Sequence, residues 1–589
     1  MTDRRGIARQ LDRRDWLILA GLALFAIGLP LILAATSGAL TIPHNDDFDF
    51  RRSALGLYHD GRVVLTGYSV MSLVGLLVAV QPLLWISGGG AWAFAATTIG
   101  FALVAIGAGY LLARRVVGPG RAAVAVLTVV VVPGFIANTT TFMTDVPELA
   151  TQLGCLALGA AAIGPGGSTR WRWLAASLAV GCFAFSIREV GLAAPVAVLT
   201  AVVVADGRIR GRLIVAGVVA AVILAVIHLL TANLPNQGTS VLDLAGGARR
   251  LRLAFSTLAL ILLPAMVLAI AWWRERWRRR DIIAGLLVGL LLAWSALVTI
   301  ATTGRVPEEM IGNLFTLSGG SGPAGLAGSR PPIYPSPVWT AVQVLALVAT
   351  ILLPGVVAGM FGATIQARGI TRRRVRAWVG STPGILILFA ALSAAGLIVY
   401  GYGFTMFDRY LWPLAFTLAT LLMIRPAGVT TSTDADDAPE AGSRTEAGAG
   451  PDRTPRPAMV LVAVMLSGLA VLSVLQLLNA NAFSVARWQM AVEATNRGIA
   501  AGTIDAGMEW VGFYATGTSD PKQGHLQPGA MSYTRRWPSF HLCAIVSSGP
   551  LNRNGYVLLD VQPAAYLQYQ VAGEPLPLYL YQIHRTGCP

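Results

Sequence analysis

Trp16-Leu-Ile-Leu-Ala-Gly-Leu-Ala-Leu-Phe-Ala-Ile-Gly-Leu-Pro-Leu-Ile-Leu-Ala-Ala35 decides the fold, and Pro43-His44-Asn45-Asp46-Asp47-Phe48-Asp49-Phe50-Arg51-Arg52 follows it closely. A helix that crosses a bilayer needs about 20 mostly apolar residues. The run 16–39 meets that length and has a basic flank of Arg4, Arg5, Arg9, Arg13 and Arg14. It is too long for the apolar core of a signal peptide and many similar runs follow, so it reads as a retained anchor. The rest of the chain has the same character. Over 589 residues, 55% are apolar and 12% are charged. Soluble domains carry about a quarter charged residues. This composition excludes an ordinary soluble enzyme and a disordered chain, and implies a polytopic membrane protein among membrane lipids. The formal charge is +15, but it is nearly all Arg, with a single Lys at 522. Its placement fits membrane topology better than nucleic-acid binding, so no nucleic-acid partner is expected.

Further apolar segments at 91–113, 121–141, 146–164, 172–187, 189–205, 211–232, 253–273, 281–303, 338–362, 378–403, 411–425 and 458–479 bring the expected count to about thirteen spans. The stretch 70–88 is also apolar. It contains Gln81 and Pro82, ends in three Gly, and reads as a re-entrant or surface helix. Thirteen spans place Arg114, Arg115, Arg121, Arg170, Arg172, Arg208, Arg210, Arg212 and the clusters 274–280 and 372–376 on the side of the N-terminus. The positive-inside rule makes that side cytoplasmic, and the multi-pass chain is expected in the cytoplasmic (inner) membrane. Arg249, Arg250 and Arg252 fall opposite, so the agreement is a bias rather than a partition.

The expected organisation is a transmembrane module over 1–425, with an outer loop 41–90. A disordered cytoplasmic linker over 426–457 is polar, Gly- and Pro-rich and lacks large apolar residues. The last span is 458–479. The segment 480–589 is long enough for a small extracytoplasmic α/β domain. The fold class is therefore an α-helical polytopic membrane protein with a small C-terminal α/β domain. Cys155 and Cys182 lie inside spans as small core residues. Cys543 and Cys588 either bridge or remain two buried thiols. Trp510, Tyr533 and Trp537 either build the small domain's core or stand open for stacking.

Four charged stretches carry the chemistry. Asp46, Asp47 and Asp49 crowd three carboxylates into four residues just past the first span. They form either a solvated turn capping a helix over 55–65, or a general base, a metal site or a polyol site. Asn138-Thr-Thr-Thr-Phe-Met-Thr-Asp145-Val-Pro147-Glu148 reads either as a helix start capped by Asp145 or as a second acidic site. Ser186-Ile-Arg188-Glu189 sits between two short apolar runs, where ionisable groups are expensive, and reads either as a structural Arg–Glu pair or as a functional site. Tyr400-Gly-Tyr402-Gly-Phe-Thr-Met-Phe-Asp408-Arg409-Tyr410 offers either an interfacial anchor or an arginine fork for phosphate. Acidic groups at two exits and Arg at two others suit a reaction on a lipid-linked phosphate. The acceptor hydroxyl needs a base, and the departing phosphate needs cations.

Across about 10–425 these stretches resemble the GT-C superfamily of integral-membrane glycosyltransferases. The nearest branch is that of protein mannosyltransferases and lipid A aminoarabinose transferases. The resemblance rests on Asn45-Asp46-Asp47-Phe48 with Leu57, Gly61-Arg62 and Leu65. It also rests on Thr141-Phe142-Met143-Thr144-Asp145-Val146-Pro147, on Arg188-Glu189, and on Asp408-Arg409-Tyr410-Leu-Trp-Pro413. It implies transfer of a sugar from a polyprenyl-phosphate donor, with inversion, to a glycan, glycolipid or protein acceptor in the cell envelope. Carried over, Asp46 is the base and Asp47 its partner. Asp145 is the second acidic site, and Arg188 and Arg409 hold phosphate. Asp49, Glu148 and Tyr410 join the substrate-binding set. The resemblance leaves open a divalent cation on Asp46, Asp47 and Asp49. Phe50 departs from the pattern, standing where relatives often carry Tyr. The competing reading is a transporter or flippase of a lipid-linked sugar, but no matched inverted halves appear in the sequence. A scaffold whose C-terminal domain binds cell-wall polymer would leave the acidic loop without a role.

Overall fold

The computed structural model describes residues 11–588 except 69–70, 165–166, 208–210, 233–241, 318–325, 327–332, 369–370, 426–454, 521–535 and 564–576. The expected linker lies outside the described residues up to 454, as does Tyr533. A helix occurs in each of the thirteen expected segments. Among the described residues nine helices are long and apolar enough to cross a bilayer, so the chain is a multi-pass helical membrane protein. The buried centre is Leu244–Trp273, with Leu258, Ile261, Leu262 and Met266 packed inside. Gly211–Ala232, by contrast, buries only Leu213 and Ala220 and turns Val218, Val222, Leu229 and Leu230 outward. An apolar exterior is stable where the solvent is lipid rather than water.

The first span is Arg13–Ser37, interrupted by a π-helical turn at Leu24–Gly28. Asp12 and Asp15 form a capping box at its start, and Gly38 ends it with φ 80°. The apolar stretch at 70–88 is a 14-residue helix, Val74–Ser87, about 21 Å long and too short to cross alone. Leu76, Leu77, Val80 and Leu84 are buried, while Val78, Trp85 and Ile86 face outward as an apolar stripe.

Two segments differ from expectation in length. The run 121–141 yields only Pro119–Val130 and a short turn at Phe135–Asn138. Pro133 and Gly134 break it. Gly134 takes φ 102°, and an added Cβ would stand 2.5 Å from Leu314. That gap lets the segment carrying Leu314 pack close. The last span is longer than drawn. It belongs to one continuous 41-residue helix, Arg456–Asn496, so the boundary at 479/480 falls inside a helix. Phe483, Met490 and Ala491 on its far end are built into the core of the C-terminal domain.

That domain is α/β. Its sheet has β1 (Ile504–Asp505), β2 (Ala544–Ser547), β3 (Tyr556–Pro563) and β4 (Pro577–Ile583) in the order β1-β2-β4-β3. β1 is parallel to β2, and β4 runs antiparallel to both β2 and β3. Trp510 and Trp537 are each 1% exposed, which makes them core rather than open stacking platforms. Cys543 and Cys588 are bridged, which ties the end of the chain to the sheet.

Between the first span and the acidic helix the chain makes a buried turn. His44 is enclosed and its Nε2–H donates to the Ala39 carbonyl at 3.0 Å. Burial lowers its imidazole to about 4. The His44 backbone N–H donates to the buried Asp47 carboxylate at 2.9 Å. Burial pushes that carboxyl up to about 6, against the pull of Arg51 and its backbone donors.

Two outcomes are expected. Cys588→Ser, or reduction, opens a loop of 45 residues and destabilises the C-terminal domain by about 4 kcal/mol. Protease protection of 504–583 measured with and without reductant checks this, and equal protection refutes it. The turn also holds two groups with opposed pH dependence. His44 supplies stability complete above about 6.5 and lost as pH falls toward 4. Asp47 supplies stability present below about 3.8 and lost as pH rises through about 6. Each amounts to about 3 kcal/mol, so they offset one another in the native turn. In His44→Gln only the Asp47 contribution remains. Amide exchange at 44–48 then reports a turn that tightens by about that amount from pH 7 to pH 4, and a flat profile disproves it.

Candidate active site

The acidic helix is Asp47–Asp60, closed by Gly61 with φ 64°, so it begins and ends earlier than the expected 55–65. The three crowded carboxylates avoid mutual repulsion by pointing at different partners. Asp47 is fully buried and accepts from Arg51 Nε and Nη2 at 3.1 and 2.9 Å and from the Phe142 N–H at 3.3 Å. Asp49 is also fully buried and accepts from the Thr66 hydroxyl. Asp46 alone keeps a partly open carboxylate, with its side chain 21% exposed. One oxygen accepts from Arg409 Nη2 at 3.0 Å, the other from the Tyr68 hydroxyl at 3.2 Å. With this division the three oxygen sets do not converge, and they do not suit a shared divalent cation.

Asp145 does not cap its helix. Thr144 is the N-cap residue of Asp145–Ala162, without a side-chain bond. The Asp145 carboxylate instead meets Arg188 Nη1 at 2.9 Å and Arg409 Nε at 3.3 Å through the same oxygen. Arg188 reaches Glu148 at 3.0 Å, and Glu148 accepts from Gln152 at 2.9 Å. The break at Arg188, extended at φ −152° and ψ 141°, lets its side chain cross between helices. The outcome is an alternating row: Asp46, Arg409, Asp145, Arg188, Glu148. All but Asp46 are nearly enclosed. Tyr410 braces both cations, with Arg188 4.2 Å and Arg409 5.7 Å from its ring centroid.

Asp408 does not join the row. It accepts the N–H groups of Leu314 and Phe315 at 3.0 and 2.6 Å, and burial raises its carboxyl. Those bonds hold the segment that presents Asn313, whose side-chain oxygen accepts from Arg409 Nη1 at 2.7 Å. Glu189 is exposed and accepts the Ser72 N–H at 2.9 Å.

The row ends in a cavity of about 440 Å³. Glu148, Gln152, Arg188, Glu189, Tyr400 and Tyr410 line it, together with apolar residues, among them Val196, Leu392, Leu397, Pro413 and Leu414. So the structure gathers Asp46, Asp145, Glu148, Arg188, Arg409 and Tyr410, and turns Asp47 and Asp49 away into packing. Sequence reading missed Tyr68, Asn313 and Glu509, the last of which accepts the Asn45 N–H at 3.1 Å. Tyr68 lies in the charged loop itself, and it supplies a hydroxyl near the acidic pair where Phe50, buried in a cluster with Leu76 and Phe94, cannot. A lone Glu in the apolar run Met508-Glu-Trp-Val-Gly-Phe-Tyr514 was the available signal for Glu509.

The sequence profile of the dolichyl-phosphate-mannose-protein mannosyltransferase family matches residues 77–231. Two crystal structures of ArnT from Cupriavidus metallidurans overlay with a TM-score of 0.37 each. The apo structure is 13% identical and covers 96% of this chain and 98% of its own. The structure bound to undecaprenyl phosphate is 12% identical and covers 98% and 99%. No curated protein matches in sequence. Over the stretch that supplies Asp145, Glu148 and Arg188, the chain is similar to the dolichyl-phosphate-mannose-protein mannosyltransferases of the GT-C superfamily of membrane glycosyltransferases.

Proposed function

We propose that the chain moves a sugar from a polyprenyl-phosphate donor to an acceptor hydroxyl on the outer face of the cytoplasmic membrane, with inversion at the anomeric carbon. One observation carries this reading: a row of alternating charges joins a partly open carboxylate, Asp46, to a cavity lined by an arginine and by apolar walls. Apolar walls suit a prenyl chain and the arginine fork suits its phosphate. Matching mannosyltransferases act on a dolichyl-phosphate-linked sugar by their own description, which supports a donor of that class here.

In this reading the prenyl chain lies against Val196, Leu392 and Leu397, with the phosphate at Arg188. The sugar points toward Asp46. The acceptor hydroxyl gives its proton to Asp46 while its oxygen attacks the anomeric carbon from the face opposite the phosphate. The bond from that carbon to the phosphate oxygen breaks, and the electron pair leaves with the phosphate. The leaving group gains one negative charge, which Arg188 and, next along the row, Arg409 are placed to stabilise. Tyr68 and Arg409 hold the Asp46 carboxylate in place. The acceptor is a cell-envelope glycan, a glycolipid or a protein.

Polyprenyl-phosphate release, measured with purified protein in detergent and membrane lipid and a panel of donor sugars and acceptors, tests the reading. One donor class is expected to turn over. Asp46→Asn lowers kcat by about 10²–10⁴-fold with the fold retained, the usual weight of a general base. Arg188→Lys keeps the charge but loses the fork, and lowers kcat/KM by about 10–100-fold. No turnover of any donor with acceptors present, or an Asp46→Asn variant as fast as wild type, overturns it. In that case flux of a lipid-linked sugar in vesicles becomes the measurement to make.

A further inference from the structure

The C-terminal domain reaches into the acidic turn through Glu509. Glu509 is 3% exposed and stands on the short helix Met508–Tyr514. One of its oxygens accepts the Asn45 backbone N–H at 3.1 Å. The other accepts from Arg487 Nη1 at 2.5 Å, and Arg487, 1% exposed, belongs to the long helix Arg456–Asn496. Gly507 lets Arg487 in: it takes φ 91°, and a Cβ there would lie 2.3 Å from the guanidinium.

Asn45 is left-handed, with φ 56°, and it immediately precedes Asp46. Asn enters that region more readily than other side-chain-bearing residues but still in the minority of cases, and surrounding bonds can fix it there. The Asn45 side-chain nitrogen is buried without a hydrogen-bond partner among the described residues. That nitrogen therefore does not fix the turn, whereas the bond from the backbone N–H to a charged acceptor does. The same domain grips the next turn of the acidic helix. Arg52 donates to the Gly512 carbonyl at 2.6 Å, and Phe48 lies so close to Gly512 that a Cβ there would stand 2.0 Å away. Asp46 is thus bracketed by C-terminal-domain contacts before and after it.

We propose that Glu509 is a positioning residue. By fixing the left-handed backbone of Asn45 it sets the direction of the Asp46 carboxylate toward Arg409. The inference rests on Asp46 being the base, and it makes the C-terminal domain part of the catalytic apparatus without placing it against the substrate.

Two double variants separate positioning from simple folding. R487M/E509Q removes both charges and keeps an amide oxygen able to accept from the Asn45 N–H. R487M/E509L removes both charges and the acceptor, so neither variant strands a buried ion. kcat is expected to fall at least about tenfold further in R487M/E509L than in R487M/E509Q, because sub-ångström misplacement of a catalytic group is costly. Donor KM differs between them by less than about twofold. Equal kcat in the two, or a loss confined to KM, overturns the proposal. Should R487M/E509L fail to fold, Asn45→Ala and Asn45→Gly test the same backbone position: Ala resists positive φ and Gly accepts it, so kcat falls further in Ala. Hydrogen exchange of 41–52 separates this failure from failure of the enzymatic reading. Faster exchange in R487M/E509L than in R487M/E509Q is expected whatever donor is used, and equal exchange overturns the proposal even if the wild type is active.

Discussion

The row Asp46, Arg409, Asp145, Arg188 and Glu148 is the constraint to which the surrounding structure answers. Three carboxylates and two guanidinium groups alternate in sign at contacts of 2.9–3.3 Å. Buried ions are tolerated only in such company, since removing one partner of a buried pair typically costs about 3–5 kcal/mol. The members come from four separate places in the chain: the turn after the first span, the start of Asp145–Ala162, the break at Arg188, and the 3₁₀ turn Asp408–Leu411. Holding them in register therefore demands that several helices stop or bend at defined residues.

Those interruptions are visible one by one. The break after Ile187 frees Arg188, and Gly134 makes room for the segment carrying Leu314. Asp408 then uses that segment's N–H groups, and Asn313 on it meets Arg409. The short helices are thus where a span gives up regular pairing so that charges can meet, a trade seen where irregular backbone lines a cavity inside a membrane. Helices that expose most of their apolar residues, such as Gly211–Ala232, contribute no member of the row.

How much of this was legible in sequence follows from the range of each signal. Spans are read from a run of apolar residues, a local property set by bilayer thickness, and helices lie where the runs are. The break at Pro133-Gly134 is equally local, but apolar flanks on both sides mask it. The charged members were legible because charge at membrane depth is rare. Their division of labour was not. Asp46 and Asp47 are adjacent, and one helical step of about 100° sends one to Arg409 and the other to Arg51. Tyr68, Asn313 and Glu509 reach the site from loops and from the C-terminal domain, through contacts spanning up to 464 residues in sequence. No spacing rule encodes such partners. Cys543 and Cys588 posed the same difficulty, since two cysteines in one domain fit a bridge or two thiols until the sheet brings them together.

The uninterrupted helix Arg456–Asn496 has a mechanical consequence. It is about 60 Å long, and it serves the membrane bundle at one end and the small domain's core at the other. A helix of this kind behaves as a keyed shaft. Its pitch couples the height of the domain above the bundle to its angle about the shaft axis. A single residue inserted midway would raise the domain by about 1.5 Å and turn it by about 100°. The rim that now faces the acidic turn would swing aside, and its residues would point elsewhere. Length in this segment is therefore fixed by phase, and chains that vary here are expected to change in steps close to whole helical turns.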